Sequence, residues 1–234
     1  MTLPVDLTWF GQSAVRLDFD GAVVLIDPFI TDAPQYDGTL EAAMEGCTHV
    51  LLTHGHQDHI GNTKEIIDAT GAELVAGFEV CNYIGAKNVN PGNIGGKLDC
   101  GAFTVAFTQA FHSSGLVGKD SSVYLGNPMG LVVTPKNGPS IYHMGDTDIF
   151  GDMALIEELH APEIGIVPIG DRFTMGGRVA ALACQRYFNF RKVLPVHFGT
   201  FPILDQTPDK FIDALGPNGP EVLTPTGGER IKLS

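Results

Sequence analysis

The sequence predicts an α/β protein, and three observations carry that expectation. Short apolar runs recur along all 234 residues, bounded by glycine, proline or aspartate as strands are. Stretches with helical spacing lie between them, so strand and helix alternate through most of the chain. No linker, low-complexity tract or fixed-period repeat interrupts the pattern, and the length suits a single domain over 1–234 that buries roughly 70–75% of its unfolded surface.

Leu7 to Gly21 reads as two strands broken near Gly11, the second alternating Val15, Leu17 and Phe19 with Arg16, Asp18 and Asp20. Asp20-Gly21 turns the chain into a continuous apolar strand, Ala22 to Ile26, that stops at Asp27-Pro28 because proline ends the ladder. Asp27 is left at that strand end, either capping a turn or supporting a neighbouring site. Val50-Leu51-Leu52 is the next apolar run, and it is followed by a polar loop and a helix from Lys64 to Ala69 closed by Thr70-Gly71. Glu73 to Ala76 gives another strand. Asn88 to Gly96 is too rich in glycine for either element and reads as a loop and hairpin entry.

Phe103, Val105 and Phe107 alternate along a strand leading to His112. Leu131 to Pro135 and Ser140 to Met144 form hairpin strands across Lys136-Asn137-Gly138-Pro139, a turn-forming sequence. Ile149 to Leu159 is expected to be helical, Ile164 to Pro168 extended, and Val179 to Phe188 an alanine-rich helix. Lys192 to Val196 is a strand ending at His197, Asp209 to Leu215 a short helix, and Glu221 to Thr224 a last strand.

The polar loop is where chemistry concentrates. His54, His56, Asp58 and His59 place three of the eight histidines and a carboxylate within six positions. Neutral imidazole and carboxylate oxygen are the donors that zinc and its first-row neighbours take, and a loop leaving a buried strand aims several at one point. His54 and His56 project alike if the chain is extended there, whereas Asp58 and His59 lie where a helix begins and lean elsewhere. The spacing therefore points to two ions. His112, Asp146 and His197 each follow an apolar run, so further donors recur at strand ends.

The formal net charge of −13 argues against a nucleic-acid binder, which concentrates Lys and Arg to release counterions. It leaves room for a locally positive metal centre and a small anionic substrate. No apolar run reaches the length of a membrane span. The N-terminus lacks the layout of a secretory signal, and Cys47, Cys81, Cys100 and Cys184 are too scattered for a disulfide framework, so a cytoplasmic location is expected. A homo-oligomer is compatible with the sequence.

The H-x-H-x-D-H pattern resembles the signature of the metallo-β-lactamase superfamily. Gly145-Asp146-Thr147, the segment Pro168 to Gly176 and the segment Pro195 to Phe201 narrow the resemblance to its predicted metal-dependent hydrolases. These stand close to the ascorbate-6-phosphate lactonase and N-acylphosphatidylethanolamine phospholipase D branches. The resemblance implies a four-layer αββα sandwich of two mixed β-sheets flanked by helices. It also implies His54, His56 and His112 around one divalent ion, Asp58, His59 and His197 around a second, and Asp146 bridging both, while His49, which precedes a strand, His143 and His160 stay outside. Zinc is the first expectation, while manganese, iron and nickel suit the same donors. Gln12 departs from the pattern, since such proteins often read Gly-His-Ser where this chain has Gly11-Gln12-Ser13.

The implied activity is hydrolysis by a metal-bridging hydroxide of an ester, lactone, amide or phosphodiester bond in a small molecule, with Asp58 also orienting the hydroxide. Ser113, Ser114, Asp171, Thr174 and Met175 fall in loops expected around the pocket. Two competing readings are an iron-dependent dioxygenase or other redox protein on the same scaffold, and a metal-dependent scaffold or sensor.

Overall fold

The computed structural model describes residues 4–119 and 121–233. Its first half contains β1 (Asp6–Gly11), β2 (Ala14–Phe19), β3 (Ala22–Ile26), α1 (Leu40–Met44), β4 (His49–Leu51), the single turn α2 (Gln57–Ile60), α3 (Thr63–Thr70), β5 (Glu73–Gly77), α4 (Phe78–Ile84) and β6 (Val89–Gly92). The chain continues through β7 (Lys97–Asp99), β8 (Phe103–Gln109), the small hairpin β9 (Gly115–Val117) and β10 (Ser122–Tyr124), β11 (Met129–Pro135) and β12 (Ile141–His143). It closes with α5 (Met153–His160), β13 (Ile164–Pro168), α6 (Gly177–Tyr187), β14 (Lys192–Val196), α7 (Asp209–Leu215), β15 (Glu221–Val222) and β16 (Arg230–Lys232).

Two seven-stranded sheets form the centre, one ordered β16-β1-β2-β3-β4-β5-β6 and the other β15-β14-β13-β12-β11-β8-β7. Both are mixed, antiparallel at one side and parallel at the other, where β3 to β6 and β12 to β15 run alike. The alternation read in β2 is real: Val15, Leu17 and Phe19 are buried, and Arg16 and Asp18 are half-buried. Three apolar layers follow from these faces. Leu7, Leu17 and Ile26 of one sheet meet Phe103, Leu131 and Ile166 of the other. Met153, Ala180 and Phe211 bring α5, α6 and α7 onto the second sheet, and Ala43, Ile66 and Val80 bring α1, α3 and α4 onto the first. The result is helix, sheet, sheet, helix. Truncating a fully buried side chain of the central layer, such as Leu131→Ala, costs roughly 2–5 kcal/mol.

Three expectations change. The Asn88 to Gly96 segment holds β6, which pairs only with β5 at a sheet edge, where Pro91 lacks an N–H without breaking a ladder. α5 begins at Met153, four residues later than its periodicity starts, and His49 opens β4 instead of preceding it.

Strand direction sets the place of the polar loops. β8 and β12 are both antiparallel to β11 and so point the same way, in step with the parallel strands β13 and β14. His112, Asp146 and His197 therefore leave the second sheet on one edge. The histidine loop leaves β4 of the first sheet toward them.

Candidate metal centre

Seven donors gather where these loops meet. His54 Nε2 lies 2.9 Å from His56 Nδ1, and His112 Nε2 lies 3.3 Å from the same atom. Asp58, His59 and His197 form a second group in which Asp58 Oδ2 is 3.7 Å from both His59 Nε2 and His197 Nε2. Asp146 Oδ2 stands between the groups, 3.0 Å from His197 Nε2, 3.3 Å from His59 Nε2 and 3.5 Å from His112 Nε2. His49, His143 and His160 do not join. His143 instead donates from Nε2 to the Ser13 carbonyl and accepts the Gly145 N–H at Nδ1, tying the sheets together.

Hydrogen bonds behind the rings decide which nitrogen faces inward. The Thr53 hydroxyl donates its one proton to Asp27 Oδ2 at 2.6 Å, so at 2.9 Å it accepts from His54 Nδ1–H. His54 Nε2 is then a lone pair aimed at His56 Nδ1. His59 Nδ1–H donates to Asp27 Oδ2 at 2.7 Å, which leaves His59 Nε2 toward Asp146 and Asp58. Outer partners of this kind fix ring orientation and raise ligand basicity. Ser113 Oγ lies 3.3 Å from His56 Nε2, the nitrogen facing away from the other imidazoles.

The donor set fits divalent metal. His59 Nε2 and Asp146 Oδ1 are among the buried polar atoms without an aligned hydrogen-bond partner, a state that proteins in general avoid. Facing imidazole lone pairs repel unless a cation lies among them. Burial and the neighbouring His59 push the His54 pKa well below its ordinary value, and burial does the same more mildly for His56 and His112, keeping them in the neutral, ligating form. Burial works against charge on His59 too, but Asp146, Asp58 and Asp27 outweigh it and hold that imidazole well above its ordinary pKa. Burial likewise opposes ionisation of Asp146, and His197 and His59 overcome it, lowering its carboxyl well below the usual range.

Local backbone serves the site. Gln12, Asp27 and His197 adopt positive φ angles of 43°, 47° and 64°, a region that side chains with a Cβ rarely occupy. Gly170 permits the last of these, because a Cβ there would lie 2.2 Å from the His197 carbonyl oxygen. Gly61 closes α2 with φ 42°, where a Cβ would meet the Pro28 carbonyl oxygen at 2.4 Å, so the histidine loop seats directly on the Asp27-Pro28-Phe29 turn.

Sequence reasoning overlooked what Gln12 does. Its side chain is fully buried; Nε2 donates to Asp58 Oδ2 at 2.7 Å, while the Gln12 backbone carbonyl accepts the His197 N–H at 3.0 Å. It thus holds two residues of the second group. The signal was present as the departure at Gly11-Gln12-Ser13, but the partner lies 46 residues away.

A cavity of about 830 Å³ opens above Asp58, His112, Asp146 and His197. Ser113 lines it. Asp171 and Thr174 do not: Asp171 faces a separate cleft with Arg178 and Lys210, and the Thr174 hydroxyl donates to the Met175 carbonyl. Between them Phe173 points into the cavity instead. Ser114 is structural, accepting the Gly55 N–H and donating to the Leu125 carbonyl, and Met175 is core. Among the described residues the lining contains no Lys or Arg.

Comparison with known proteins shows the family and the fold. A family profile described as Beta-lactamase superfamily domain matches residues 23–198. A UPF0173 metal-dependent hydrolase of Methylocella silvestris is 58% identical over 96% of this chain and 99% of its own length, and one of a Chelativorans species is 55% identical over 97% and 99%. Among solved structures, Igni18, a metallo hydrolase of the archaeon Ignicoccus hospitalis, superposes with a TM-score of 0.87 at 33% identity, covering 99% of each chain. The chain belongs to the UPF0173 family of metal-dependent hydrolases and has the metallo-β-lactamase fold.

Proposed function

We propose that the chain works as one binuclear hydrolase domain, with His54, His56 and His112 holding a first divalent ion and Asp58, His59 and His197 a second. Asp146 would be the ligand shared between them. The observation that carries this reading is the pair of converging donor groups that share Asp146 Oδ2 within 3.5 Å of three imidazoles. When bound, two such ions supply an acidified water and polarise the scissile carbonyl or phosphoryl oxygen.

The residues of the chain do the rest. Asp58 is the most exposed ligand carboxylate, and with one oxygen fixed by Gln12 it presents its edge to the cavity, where it orients the attacking water. Asp27 and Thr53 keep His59 and His54 in the ligating tautomer. Water adds across an ester, lactone, amide or phosphodiester bond: its oxygen joins the acyl or phosphoryl group, and a proton goes to the leaving oxygen or nitrogen. Zinc is the ion the donor chemistry favours.

Relatives above 50% identity named as metal-dependent hydrolases support this reading over iron-dependent oxidation. The test combines elemental analysis of protein purified without added metal with strictly anaerobic turnover in oxygen-labelled water. The expected result is two ions per chain and label in the product. Oxygen consumption during turnover, or a product without label, would sink it.

A further inference from the structure

Above the metal centre the cavity is apolar. Phe29 follows β3 in the first sheet, Phe173 follows β13, and Phe201 and Ile203 follow β14, so three loops from two sheets converge to build one wall. The Phe29 and Phe201 rings lie 6.2 Å apart, joining the loops after β3 and β14. Phe173 and Ile203 remain 57% and 51% exposed, and Phe201 38%. Large side chains left in water beside a polar centre gain from whatever covers them, because apolar area removed from water is favourable.

Charge in the lining points the same way. Apart from the candidate ligands, its ionisable residue is Asp32, an exposed acid, and its uncharged polar groups are Gln57 and Ser113. The exposed Arg172 beside Phe173 is not part of the cavity lining, Arg178 and Lys210 line the separate cleft with Asp171, and Lys210 is already paired with Asp205 at 2.7 Å. A phosphate or carboxylate carried away from the reacting bond would meet aromatic carbon and Asp32.

We propose, resting on the hydrolase reading above, that the substrate is an ester, lactone or amide whose arm beyond the scissile bond is uncharged and apolar, aryl or extended alkyl, and not a phosphorylated metabolite. The cavity volume is of the size that takes such an arm, and pockets of this kind combine apolar walls with a few placed polar groups. Ser113 and Gln57 are those groups here.

The test separates the arm from the chemistry by using hydroxamic acids, which anchor on metal without being cleaved. Calorimetry on the metal-loaded protein compares acetohydroxamic, butyrohydroxamic, hexanohydroxamic and succinic monohydroxamic acids. Affinity should rise by about fourfold per methylene from acetyl to hexanoyl, and the succinic compound should bind more weakly than the hexanoyl one. Phe173→Ser should compress the hexanoyl-to-acetyl ratio. Equal binding along the series, or preference for the anionic arm, overturns the proposal. A parallel panel of 4-nitrophenyl esters with the same acyl arms judges the hydrolytic reading: turnover that favours the succinyl ester overturns the apolar arm and leaves the hydrolase standing. Hexanoyl preference in binding and turnover supports both.

Discussion

Asp27 Oδ2 accepts a 2.7 Å hydrogen bond from His59 Nδ1, and neither side chain has any exposure to solvent. The same carboxylate accepts the Thr53 N–H at 2.8 Å and the Thr53 hydroxyl at 2.6 Å, so one residue that binds no ion in the proposed scheme orients an imidazole of each metal group. Asp27→Asn keeps one acceptor and replaces the other with a donor facing His59. Affinity for the second ion should fall about 10–100-fold, read by competition with a chromophoric chelator. Unchanged affinity would remove Asp27 from the site's support.

Asp146 tests the bridge. Asp146→Asn takes a negative charge from between two cations, and a neutral amide oxygen bridges poorly. Metal analysis after dialysis should drop from two ions per chain toward one, activity should fall by orders of magnitude, and the circular dichroism spectrum should persist, because an apolar core of three layers does not need metal as a zinc finger does. Two tightly held ions with normal turnover would show the ligand map to be wrong.

Gln12 is expected to affect one ion and spare the other. Gln12→Leu removes the donor to Asp58 Oδ2 while retaining bulk, so second-ion affinity should weaken on the order of tenfold and first-ion affinity should not move. Equal loss at both sites would indicate general damage to the fold.

The metal-free protein should lose stability as pH falls below 6.5. His54, His56 and His112 have folded pKa values below that figure, with burial the leading cause, so the unfolded chain binds their protons first and acid favours it. His59, raised in the fold, contributes stability that is fully present below 6.5 and is lost as pH rises through its folded pKa, so it does not oppose the trend in that window. Asp146 contributes stability above 3.8 that is lost only in stronger acid. Urea midpoints should therefore decline between about pH 6.5 and 5, and added zinc should flatten the decline. A metal-free midpoint constant across that range would contradict the burial of these imidazoles.

Much of this was readable in the chain. His54, His56, Asp58 and His59 sit in one loop after an apolar strand and stand out by spacing, whereas His112, Asp146 and His197 each follow another strand and are singled out by the resemblance to the superfamily's later motifs. The hidden parts depend on distance in sequence. Phe29 and Phe201 lie in irregular loops with no period to reveal a shared wall. Asp171 and Thr174 flank the residue that does enter the cavity, and only the turn between Asp171 and Met175, closed by backbone hydrogen bonds, decides which side chain faces in. β6 was obscured because Pro91 and Gly92 read as a breaker except at a sheet edge.

Gln12, Asp27 and His197 all hold backbone angles that glycine adopts more easily. Glycine at any of the three would ease the chain locally and erase the side chain on which the centre depends. Selection for heat tolerance alone would draw these positions toward glycine, and selection for turnover would draw them back. A directed-evolution library scored only on survival at high temperature is therefore expected to enrich inert proteins at these three sites, whereas one scored on both traits should leave them fixed and find its gains elsewhere.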